Sequence, residues 1–122
     1  MTIPQFRATV AEIGGQIGLV SLSGELDLYE ERPLRDALGA AEALRGRAIV
    51  VDLSGVSFMD STACGVLVGE SKRLGRDGCE LTLVTNGSHA SRVLDVAGID
   101  QLVRVFPTLH AAFAELLLEP VA

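Results

Sequence analysis

The residues best suited to chemistry lie in one short run, "FMDSTACG" (Phe58–Gly65). Ser61 follows Asp60 and precedes Thr62, just ahead of a segment with helical apolar spacing. Three roles fit a hydroxyl there. Asp60 or Ser61 can cap the helix, because a side-chain oxygen accepts one of its unpaired amides. Ser61 can also be an acceptor of a phosphoryl group, whose charge the free amides and helix dipole would stabilise. A nucleophile on a strand-to-helix elbow is the third role, but it needs tightly flanking glycines, an acid and a histidine. "MDSTA" has no flanking glycine, and the spacing brings neither His89 nor His110 to Ser61. A non-enzymatic role is therefore expected, with no catalytic residue and no cofactor.

Two further acids, Glu25 and Asp27, flank Leu26 and share one side of an extended segment. With Asp60 they make three carboxylates near a hydroxyl, a set that could hold Mg²⁺. Such acids more often cap helices and satisfy loop amides, and no metal is expected. Phe58 and Met59 are apolar residues of an expected surface loop. They either tuck under the following helix or belong to a partner's contact patch. Cys64 and Cys79 form no CxxC pair and have no histidine at metal spacing, so they are expected to be small buried thiols.

The positioning elements alternate. Strands are expected at Phe6–Ile13 and Ile17–Gly24, joined by a hairpin at Gly14 and Gly15. That glycine pair lacks the residues of a phosphate loop. Leu34, Ala37, Leu38, Ala41 and Leu44 recur at helical spacing over 31–45, with Pro33 in the first turn and Gly46 as the stop. "AIVVDL" (Ala48–Leu53) reads as a strand covered on both faces, and "SGVSFMD" as a loop. A helix from Ser61 to Leu74 places Cys64, Leu67, Val68, Ser71 and Leu74 on one face. Its Gly65 and Gly69, four apart, are expected to meet a close neighbour. "ELTLV" (Glu80–Val84) is a strand. Ser88 then caps a short helix carrying Val93, Leu94 and Ala97 and stopped by Gly98. "QLVRVF" is a last strand. Thr108 caps a final helix with Leu109, Ala112, Phe113, Leu116 and Leu117 inward.

The order ββαβαβαβα predicts one α/β domain over 1–122, with about five strands and four helices. Its mixed sheet is mostly parallel, with the first strand antiparallel. In such sheets function collects at the carboxyl ends of strands, which would make Asp27 a neighbour of Asp60 and Ser61.

Composition narrows the classes. The chain has 122 residues, 48% hydrophobic and 21% charged, which fits one globular core. Ten basic residues against 16 acidic ones leave a net charge of −6, and Lys72 is the single lysine. With no basic cluster, neither nucleic acid nor an anionic membrane surface is an expected partner. No signal peptide and no 18-residue apolar span is present, so a cytoplasmic location is expected.

Two segments carry a family resemblance. "LSGELD" (Leu22–Asp27), followed by "VVDLSGVSFMDSTACGVLVGESKRL" (Val50–Leu74), resembles the STAS domain family, most closely its bacterial anti-sigma factor antagonists. "LVTNGSHASRVLDVAGIDQLVRVF" continues the similarity over nearly the whole chain. The resemblance implies partner switching. The unphosphorylated antagonist binds an ATP-using anti-sigma factor serine kinase and so frees a sigma factor. Phosphorylation of one serine ends the complex, and a PP2C-type phosphatase restores it. The matching serine is Ser61, with Thr62 as second candidate, and Asp27 matches the acid beside it. The partner-binding set implied here is Asp27, Phe58, Met59, Asp60, Ser61 and Thr62. The alternative is a non-catalytic STAS subunit of a larger signalling or transporter assembly. One departure stands out: Ala63 occupies a position where the family commonly has glycine, which could alter how closely a kinase approaches.

Overall fold

A computed structural model describes residues 5–87 and 89–119. It begins with a hairpin of strands β1 (Arg7–Ile13) and β2 (Ile17–Leu26). Gly14 and Gly15 take φ of 60° and 68° in its turn, a backbone that L side chains rarely adopt. Helix α1 (Glu31–Glu42), strand β3 (Ala48–Met59), helix α2 (Ser61–Arg76) and strand β4 (Glu80–Val84) follow. Helix α3 (His89–Val96), strand β5 (Val105–Phe106) and helix α4 (Leu109–Leu118) complete the order.

The five strands of the described residues form one sheet in the order β1-β2-β3-β4-β5. β1 pairs antiparallel with β2, and the other pairings are parallel. This is the expected mixed α/β sheet, and its strand–helix alternation explains the layering. Alternate residues of β3 serve different faces, which is why the run reads as continuously apolar. Ile49, Val51 and Leu53 face α1, α2 and α3, against Leu34, Leu38, Leu67, Leu74 and Leu94. Ala48 and Val50 face α4, against Ala112 and Leu116. Each such leucine contributes roughly 1.5–3 kcal/mol by leaving water.

Several expected boundaries change. β3 does not stop at Leu53. It runs six residues further, through the expected loop, because β2 keeps pairing with it as far as Leu26 opposite Met59. Register shifts between Ser21 and Ser23 and between Gly24 and Glu25 absorb the irregularity. β2 likewise extends beyond Gly24 to Leu26.

α1 ends at Glu42, so Leu44 falls outside the stripe and is 37% exposed. Arg45, not Gly46, takes the left-handed conformation after it, at φ 58°. Gly46 is needed for a different reason: a Cβ there would run into the Gln16 carbonyl. β5 is only two residues long, because a 3-10 turn at Ile99–Gln101 occupies the start of the expected strand. In α4, Leu117 is exposed while Ala112 and Leu116 are buried. The expected Ser88 cap lies outside the described residues.

Gly65 and Gly69 overturn another expectation. Both lie on the exposed side of α2, and an added Cβ at either would meet nothing within 4 Å. The buried face is the opposite one: Ala63, Cys64, Val66, Leu67, Glu70 and Leu74.

Candidate functional site at the carboxyl end of the parallel strands

The pairing of Leu26 with Met59 sets the geometry, since Asp27 and Asp60 each come directly after one of these partners. The Asp60 backbone N–H donates to the Leu26 carbonyl at 3.3 Å, so the two strand exits are tied together. Each carboxylate then organises the next turn of its chain. Asp27 accepts from the Tyr29 N–H at 2.9 Å and opens a single 3-10 turn, Leu28–Glu30. Asp60 accepts from the Ala63 N–H at 3.0 Å and is the N-cap of α2. Both acids thus serve backbone amides, and among the described residues no group of three acids, thiols or imidazoles could hold a metal ion.

This capping places Ser61 and Thr62 in the first turn of α2, where both are exposed. Phe58 and Met59 part company, because β3 is still extended and alternates. Phe58 is 41% exposed, whereas Met59 is 1% exposed and packs in the main core. Met59 therefore offers no side chain to a partner in this structure. Ala63 is buried as well, so its methyl group points inward.

His89 is a neighbour of Phe58 and Met59 that the sequence reading did not place. Its ring stacks on Phe58, with centroids 5.2 Å apart and planes 16° from parallel. The Nε2–H donates to the Met59 carbonyl at 3.3 Å. Spacing along the chain hid this contact with the end of β3. Topology held the signal, because α3 starts at the carboxyl end of β4, the strand beside β3. Arg92, one helical turn further along, was missed for the same reason. With Ser61, Cys64, Val93, Val96 and Ala97 it lines a groove of about 430 Å³ between α2 and α3.

Both cysteines are buried, and burial pushes both thiols above their ordinary pKa. The nearby Asp60 charge pushes Cys64 further the same way. These are poor nucleophiles, as low thiolate content implies.

Four helices on a five-strand mixed sheet whose first strand alone is antiparallel make up the STAS fold. The chain belongs to the STAS domain family, whose pattern matches residues 8–112. It is 35% identical over 104 residues to an anti-sigma-F factor antagonist of Mycobacterium tuberculosis, covering 85% of this chain and 84% of that one. An anti-sigma-B factor antagonist of Listeria monocytogenes is 30% identical over 86 residues, 70% of this chain and 75% of that one. In three dimensions the chain is similar to an anti-sigma factor antagonist from Mycobacterium paratuberculosis. The TM-score is 0.83 at 30% identity, over 91% of this chain and 93% of that one.

Proposed function

We propose that the chain is an anti-sigma factor antagonist that works by partner switching. Unphosphorylated, it binds an anti-sigma factor serine kinase and so releases a sigma factor. The docking surface is the end of the sheet where Asp27, Phe58, Asp60, Ser61 and Thr62 gather. The kinase ends the complex by transferring the γ-phosphoryl group of ATP to Ser61. An Oγ–P bond forms, the bond to the ADP oxygen breaks, and the hydroxyl proton leaves. A PP2C-type phosphatase hydrolyses the ester and resets the switch.

The observation that carries this reading is the exposed Ser61 hydroxyl directly after the Asp60 cap. A kinase can reach it without unfolding α2. The site supports binding in preference to catalysis. The histidine and aspartate at this end of the sheet are engaged in holding backbone, His89 at Met59 and Asp60 at Ala63.

The test is recovery of partners from the native cell with wild type, Ser61→Ala and Ser61→Asp as baits. An ATP-binding kinase captured by wild type and Ser61→Ala, but not by Ser61→Asp, is the expected result. Capture of a transporter or a large signalling assembly by all three baits would refute the switch.

A further inference from the structure

Ser61 and Arg92 are 31 positions apart in the chain, yet they line the same groove. The other lining residues are Cys64, Val93, Val96 and Ala97, so the wall of the groove is largely apolar and Arg92 is its one cationic residue. Arg35, Arg73 and Arg104 are each held by carboxylates. Arg92 makes no ion pair among the described residues and is exposed.

We infer that Arg92 is the intramolecular receptor for a phosphoryl group on Ser61, and that the resulting ion pair bars the groove between α2 and α3. The inference rests on reading Ser61 as the phosphorylated residue. A phosphoserine carries about −1.5 to −2 charges and three acceptor oxygens. A guanidinium is permanently charged and matches two such oxygens with its planar fork. The alternatives near Ser61 are poorer. Asp60 is adjacent in sequence, and Asp27 comes directly after the strand residue paired with Met59, so both oppose a second anion. The Ala63 amide, which could otherwise receive the phosphate, already serves the Asp60 carboxylate. Repulsion on one side and an uncommitted cation across the groove turn the phosphate toward α3. The pair then lies over Cys64 and the apolar wall of Val93 and Val96. On this account the modification alters the shape of the site as well as its charge.

The experiment encodes phosphoserine at position 61 during synthesis, so that no kinase is needed. The phosphate is titrated by ³¹P NMR in the wild-type, Arg92→Gln, Arg92→Lys and His89→Gln backgrounds. The phosphate pKa is expected below its ordinary value of about 6, and Arg92→Gln raises it by about one unit. Arg92→Lys restores part of the shift, since it keeps the charge without the fork. Cys64, in a Cys79→Ala background, reports the groove. Its labelling by an apolar maleimide slows on phosphorylation and recovers with Arg92→Gln. An unchanged phosphate pKa in Arg92→Gln overturns the inference, as does an equal rise in His89→Gln alone. The encoded phosphoserine separates the two readings. If Ser61 is never phosphorylated in cells, the function proposed above fails although the contact forms. A phosphorylated Ser61 with no Arg92 effect refutes only the contact.

Discussion

At the residue scale the proposed switch is a question of desolvation. The positive end of α2 favours a phosphate on Ser61 by only about 0.3–1 kcal/mol, so the fold itself barely responds. A partner pressing on that phosphate must strip its water, and burying charge that the partner surface does not match costs several kcal/mol. A penalty of ~3 kcal/mol is about a hundredfold in affinity. Calorimetry with the cognate kinase should therefore find Ser61→Ala as tight as unmodified wild type, even with ATP present. Ser61→Asp should bind about a hundredfold more weakly while melting normally. Equal affinities would end the argument. The placement of Asp60, Ser61 and Asp27 was legible because cap chemistry is local, and a parallel pair puts two strand ends together. His89 and Arg92 were not, because their place depends on which strand lies beside β3 and not on their own neighbours in sequence.

Among the elements, α2 gives the clearest test of a failed expectation. Gly65 and Gly69 pack against nothing, so intrinsic helix preference alone governs them. Gly65→Ala should stabilise the protein by about 1 kcal/mol, seen as a higher melting temperature. A lower one would restore the close-packing idea. The pairing of α1 with α2 allows a second test. Glu70 is 6% exposed and accepts from Arg73 Nε at 2.7 Å, while the Arg73 fork also meets Glu42 of α1. Removing Arg73 leaves the buried acid with only the longer Arg35 contact at 3.8 Å, whereas removing the acid leaves Arg73 with Glu42 and water. Arg73→Met should cost about 1–2 kcal/mol, a figure reduced because the arginine is partly solvated. Glu70→Met should cost less, and chemical denaturation of both variants checks the order. Sequence reading found each major element but misjudged β3. Ser54, Gly55 and Ser57 look like a loop, and Asp52 even bonds the Ser54 amide and hydroxyl locally. The strand persists because β2 lies alongside, a tertiary fact that no local preference contains.

For the molecule as a whole, three helices cover one face of the sheet and α4 covers part of the other. Two arginines fasten α4. Arg47 donates to the Leu116 and Glu119 carbonyls, and Arg104 bridges Glu80 and Glu119 at 2.7 Å each. Global stability should also carry the mark of the thiols. Burial raises both cysteine pKa values from an ordinary 9.0, so the folded chain keeps protons that the unfolded chain releases. Below about pH 9 both states hold them and nothing is lost. Above it, unfolding frees protons, so stability falls as pH rises toward the folded-state values. Urea midpoints between pH 8 and about pH 10.5 should decline, and the Cys64→Ser, Cys79→Ser double variant should flatten that slope. An unchanged slope would remove the thiols from the account. The chain has two histidines and no tryptophan. Among the described residues His89 stacks on Phe58, three positions before Ser61, while His110 sits exposed on α4 without a ring partner. The circulating electrons of that phenyl ring should set the His89 proton resonances apart from those of His110. The protein thus carries a native magnetic reporter of the docking surface proposed for it, readable without any label.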